Sequence, residues 1–197
     1  MPPLPPVTQA LMLINVAVFC LGFFLGPWFG QLFALWPIGG NFLPWQVVTY
    51  AFLHGDVAHL FFNMLGLWMF GAELERLWGT RRFIQFFAAS VLAAAAAQLL
   101  LAALMGYGNP TVGASGGLFG LLLAFGLLFP ERIIMPLFPP IPMKARTFVM
   151  VFGAIELALG FYSPGGGVAH FAHLGGMLGG WLMIRYWRGQ APFGRRR

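Results

Sequence analysis

The chain has 197 residues, of which 59% are hydrophobic and 8% charged, and its mean hydropathy is +0.80. A water-soluble domain carries about a quarter charged residues, so this composition excludes a soluble enzyme and a disordered chain. The net charge is +6, but eleven Lys and Arg are too few to build a nucleic-acid-binding patch beyond the tail, and no nucleic-acid partner is expected.

At roughly 20 residues per crossing, the length allows about six transmembrane helices with little left for a water-exposed domain. The expectation is one all-α, polytopic membrane domain over residues 1–197. The first span covers about 9–25 and stops at Gly26-Pro27. It is too long, and lacks the positive flank, for a cleaved signal peptide, so it is expected to be retained. Cys20, the single cysteine, excludes an intramolecular disulfide and sits in this apolar run as a packing residue. An uncharged stretch rich in aromatics, Pro and Gly follows over 28–53, suited to a loop in the membrane interface. Further spans are expected at about 57–74, 83–105, 115–129, 147–161 and 168–187. The fourth, closed by Pro130, is too short to cross a hydrocarbon core of about 30 Å unaided.

Basic residues fall in the second-to-third turn (Arg76, Arg81, Arg82), the fourth-to-fifth loop (Arg132, Lys144, Arg146) and the C-terminal end (Arg185, Arg188, Arg195, Arg196, Arg197). The other three loops carry none. Since Lys and Arg are retained in the cytoplasm, both termini are expected inside, in an inner (plasma) membrane. Topology accounts for the final Arg triplet, which also suits contact with anionic membrane lipid.

In that orientation the second, fourth and sixth spans all begin at the outer face. His59 and Asn63 lie one turn apart on one face of the second; Ser115 opens the fourth; His173 lies in the second turn of the sixth. Ionisable groups inside a membrane are expensive and tend to be functional. Ser115 by itself, in Gly113-Ala-Ser-Gly116-Gly117, reads as well as a helix-packing serine. Small-xxx-small packing calls for no imidazole at His173, however, and Asn63 alone reads as a bridge between helices. Four polar side chains from three helices at one depth suggest a Ser–His pair with two donors beside it.

These residues resemble the rhomboid family of intramembrane serine proteases. Gly113-Ala114-Ser115-Gly116 is similar to its GxSG motif, and Ala172-His173-Leu-Gly-Gly176-Met-Leu-Gly-Gly180 to its AHxxGxxxG motif. His59-Leu-Phe-Phe-Asn63 is similar to HxxxN, and Glu75-Arg-Leu-Trp-Gly79 to the ExxxG that closes the second helix. The resemblance implies a six-helix bundle and a Ser–His dyad, with Ser115 as nucleophile and His173 as general base. It implies an oxyanion hole from the His59 and Asn63 side chains and the Ser115 backbone N–H. It implies transmembrane protein substrates, no cofactor and no metal, with segment five and the outer loop cap as movable parts. An aromatic one turn after the serine stacks on the histidine in some relatives; here that position is Phe119.

No acid is expected beside the dyad: Asp56 sits at the mouth of the second span and Glu156 within the fifth. A carboxyl at a helix centre costs roughly 2.5–3.5 kcal/mol on insertion scales, so Glu156 requires a partner that the sequence does not name. His170 precedes His173 by three residues, but Gly176 and Gly180 are in motif register only with His173. The competing chemistry is zinc on His54-x4-His59 and His170-x2-His173, without HExxH or a nearby cysteine. Other competitors are a non-catalytic rhomboid-like protein that binds membrane clients, and a transporter, which no discontinuous repeat pair supports. The uncharged 163–167 link is expected to let the fifth span flex.

Overall fold

Several polar side chains turn inward, beside an apolar core, while many large apolar ones face outward, unlike those of a water-soluble protein. In the computed structural model, which describes residues 3–106, 108–137, 139–162 and 170–193, Phe23, Phe24 and Leu104 are 71%, 87% and 72% exposed. Thr8, Asn15, Gln46, Asn63, Glu75 and Ser90 are all buried. Lipid makes this arrangement favourable, because an outward-facing phenylalanine meets hydrocarbon while polar groups find partners inside.

The described chain is mostly helical: α1 (Pro6–Leu25), α2 (Pro27–Phe33), α3 (Gln46–Thr49), α4 (Val57–Gly66), α5 (Ala72–Trp78), α6 (Thr80–Met105), α7 (Ser115–Leu128), α8 (Ala145–Tyr162) and α9 (His170–Trp187). A π-helical turn, Leu67–Gly71, joins α4 to α5 into one continuous helix, Val57–Trp78. That helix runs four residues beyond the expected end at 74, up to Gly79, whose φ of 77° suits a residue without Cβ. Both α6 and α8 begin earlier than expected, since Thr80 and Ala145 follow directly on a turn and a two-residue strand. That strand, Met143–Lys144, pairs antiparallel with Ile133–Ile134.

Among the described residues, four helices are long and apolar enough to cross a membrane: Pro6–Leu25, Val57–Trp78, Thr80–Met105 and Ala145–Tyr162. This is a helical membrane protein. The 14-residue α7 is short, as expected from its closing Pro130. In α9, two histidines, Arg185 and four glycines lower the hydropathy. The expected start of the sixth span at Val168, the 163–167 link and the Arg195–Arg197 triplet lie outside the described residues.

Glycine sets how close the central helices come. A Cβ on Gly175 or Gly179 of α9 would lie 2.5 Å from Ala97 or Ala93 of α6, and one on Gly180 would lie 2.7 Å from the Phe86 ring. Packing without side chains lets membrane helices gain dispersion along their backbones. Phe83, Phe86, Leu67, Leu74 and Leu121 fill the core beside this seam.

At one end of the bundle, Glu75 accepts the backbone N–H of Val7 (3.0 Å) and of Thr8 (2.7 Å), and the Thr8 hydroxyl (2.8 Å). A buried carboxylate thus caps the N-terminus of α1, matching the positive end of its dipole. Trp78 also meets Trp187 at this end, 5.3 Å between ring centroids, and Glu73 pairs with Arg132. Nearby, Lys144 and Arg146 hold the Glu131 carboxyl below its usual range, chiefly through the Lys144 hydrogen bond.

Candidate active site

The 28–53 stretch, expected as an interface loop, is built around one buried amide. Gln46 Oε1 accepts the N–H of Trp36 and of Leu43, while Nε2 donates to the carbonyls of Gln31, Leu32 and Asn41. This fixes a segment that in turn fixes the approach to Ser115. Leu35 and Thr111 exchange two backbone hydrogen bonds of 2.9 Å, and Gly113 N–H donates to the Tyr50 carbonyl at 2.9 Å. The Tyr50 hydroxyl donates to Val91 of α6 at 2.8 Å. Gly113 has φ 125°, and a Cβ there would lie 2.7 Å from His59 Nε2. Only glycine fits, and it brings His59 against the turn that presents Ser115.

Ser115 is the first residue of α7, so its N–H belongs to the unsatisfied, positive end of that helix. Its Oγ lies 2.7 Å from His173 Nε2 of α9. The Phe119 ring, one turn on, stacks on His173 at 4.3 Å and 8°. Asp56 caps α4 by accepting His59 N–H at 2.8 Å. Asn63 Nδ2 donates to the His59 carbonyl at 2.8 Å, a bond within its own helix rather than a bridge to another, and its Oδ1 is buried without a partner among the described residues.

Ser115, His173, His59 and Asn63 all line one cavity of about 640 Å³. Gly55, Asp56 and Pro110 also line it, as do the apolar side chains of Phe62, Met69, Phe148 and Phe152. The apolar walls suit a segment arriving from lipid; the polar groups converge at one place.

One expectation is overturned. An acid does stand beside the imidazole: Glu156 Oε2 lies 2.8 Å from His173 Nδ1 and 2.7 Å from His170 Nδ1. The partner that the sequence left unnamed is therefore a pair of histidines. The sequence held the signal, a carboxyl alone in an apolar span and two histidines one turn apart, but register along a chain does not say which faces of α8 and α9 meet. His170 touches Glu156 rather than Ser115. His54 stands apart from the serine, edge-on to His59 with 5.0 Å between centroids. Burial, and then the neighbouring His59, pushes the His54 imidazole down to about 4. The competing four-histidine zinc set is thus split, although Glu156, His170 and His173 offer ligand atoms within 4.8 Å of one another.

The rhomboid domain model matches residues 41–189, about three quarters of the chain. The chain belongs to the rhomboid family. It is 34% identical over 187 residues to the mitochondrial rhomboid protein 1 of Saccharomyces cerevisiae, covering 89% of this chain and 51% of that protein. It is 31% identical over 140 residues to rhomboid protease GluP of Bacillus subtilis, covering 70% of this chain and 25% of that one. With rhomboid protease GlpG of Yersinia pestis it shares 25% identity over 185 residues, 92% of this chain and 62% of the relative. The chain thus spans a quarter to about three fifths of the length of these rhomboid relatives.

Proposed function

We propose that this rhomboid is a serine endopeptidase that cuts transmembrane proteins in or next to their membrane segments. The observation that carries the reading is the 2.7 Å contact between Ser115 Oγ and His173 Nε2 inside an apolar cavity. Ser115 Oγ attacks the substrate carbonyl carbon as its proton passes to His173 Nε2. The resulting oxyanion is met by the Ser115 N–H, at the positive end of α7, and by the His59 and Asn63 side chains. As the C–N bond breaks, the imidazolium gives its proton to the departing amine. Water, activated by the same imidazole, then hydrolyses the acyl-enzyme.

The same proposal places six spans in one membrane domain, with both termini cytoplasmic and the site opening toward the outer face. In its favour, the basic residues from Arg76 to Arg188 cluster at the end of the bundle where Glu75 caps α1, opposite Asp56 and Gly113.

The experiment is active-site labelling of detergent-solubilised protein together with cleavage of a purified single-span membrane protein. A fluorophosphonate should modify Ser115 stoichiometrically; Ser115→Ala should abolish labelling and cleavage, and His173→Ala should slow both strongly. His170→Ala should still be labelled. If Ser115→Ala still cuts the purified substrate, the serine reading fails. An unlabelled, inactive wild type would favour a client-binding role instead.

A further inference from the structure

We infer that Glu156 is a positioning residue that turns the Ser115–His173 pair into a Ser–His–Glu relay, an inference that rests on the protease reading above. Both ring nitrogens of His173 are engaged, Nε2 by Ser115 Oγ at 2.7 Å and Nδ1 by Glu156 Oε2 at 2.8 Å. A carboxylate only accepts hydrogen bonds, so Nδ1 carries the proton and Nε2 keeps its lone pair toward the serine. That is the tautomer that general-base catalysis needs. The Phe119 stack cannot make this choice, because the two tautomers share one ring plane.

His170 completes the device. Its Nδ1–H donates to the same Oε2 at 2.7 Å, so the oxygen is held from two directions by side chains one turn apart on α9. The Glu156, His170 and His173 side chains are only 12%, 9% and 10% exposed, which keeps water from competing for that oxygen. During attack, the Ser115 proton moves to His173 Nε2 and no proton moves to Glu156. The carboxylate faces the imidazolium until that proton leaves with the amine.

The decisive variant is Glu156→Gln, which keeps the shape but removes the negative charge that faces the imidazolium. Its kcat on the single-span substrate should fall about a hundredfold or more, with KM within about threefold and thermal unfolding unchanged. Fluorophosphonate labelling of Ser115 should slow in parallel, and Glu156→Asp should recover part of the rate. A purely structural carboxyl would tolerate the isosteric amide, so a folded Glu156→Gln with kcat within about twofold of wild type overturns the relay.

Nitrogen-15 NMR of histidine-labelled wild type in lipid gives an answer independent of any variant. A His173 ring protonated at Nδ1 is expected; one protonated at Nε2 overturns the inference. Dialysis against a chelator should leave wild-type activity intact, whereas loss restored by Zn²⁺ would reassign the three side chains to a metal. Inactive wild type would sink the protease reading; active wild type matched by Glu156→Gln sinks only the relay.

Discussion

Gly176 of α9 lies against Gly116 of α7 so closely that a methyl group built on Gly176 would run into the Gly116 carbonyl oxygen. This contact joins the helix bearing His173 to the helix bearing Ser115, one turn beyond His173 and one residue after Ser115. It lies within one turn of both members of the 2.7 Å contact between Ser115 Oγ and His173 Nε2.

Gly176→Ala should therefore destabilise the protein by about 1–3 kcal/mol, the range for overpacking a filled interior. Activity should fall further than folding, because the backbone atoms in the way cannot swing aside as a side chain would. Thermal unfolding and fluorophosphonate labelling of the folded fraction, measured together, check this. Wild-type labelling in Gly176→Ala would mean that α7 and α9 separate without disturbing the pair.

Asn63→Ala should lower kcat by about tenfold to a hundredfold while KM changes little, since the bond to a charged oxygen forms chiefly in the transition state. His59 and the Ser115 N–H remain to hold part of the charge. The check is steady-state kinetics on the single-span substrate. A folded variant with unchanged kcat would leave Asn63 only its bond to the His59 carbonyl.

Glu75→Ala removes the acceptor for two backbone N–H groups and one hydroxyl in the first turn of α1, and for the Thr80 hydroxyl. A buried donor left unmatched costs about 1–3 kcal/mol, so stability should drop by at least that. Proteolysis near residue 5 should rise as the helix start frays, while Ser115 labelling of intact protein should persist. An unchanged unfolding temperature would show that α1 needs no cap.

His54 predicts acid sensitivity. Its imidazole moves from 6.5 down to about 4 on folding, so the unfolded chain binds the proton first. The sign follows from linkage: stability is full above about 6.5, falls as pH drops below it, and stops falling below about 4. Unfolding temperatures of wild type and His54→Phe, measured from pH 7.5 to 4.5, should diverge on the acid side with the variant higher. Parallel curves would remove His54 as the cause.

Topology has its own test. A reporter fused after Arg197 should be cytosolic and one inserted at Gly108 external. Two reporters on the same side would contradict the three crossings proposed between them, and with those the proposed placement of Ser115, His59 and His173 near one membrane face.

Composition and hydropathy alone determined that this chain lives in a membrane, because too few charged residues exist to face water. Motif register determined that Ser115, His173, His59 and Asn63 belong together, since i, i+4 spacing fixes a helix face and charge bias orients the spans. Helix ends were legible at Gly26 and Pro130; the second span was expected to stop at 74 but runs to Gly79, and the start at Ala145 was blurred because no breaker marks it. Nothing local could reveal that Glu156 of α8 meets two histidines of α9, that Gln46 knits the 28–53 segment, or that Glu75 caps a helix 67 residues earlier. Those pairings depend on the rotation of one helix about its axis relative to another. That rotation is set by where glycine and alanine permit close approach across three dimensions, a property of the packed bundle and of no single segment.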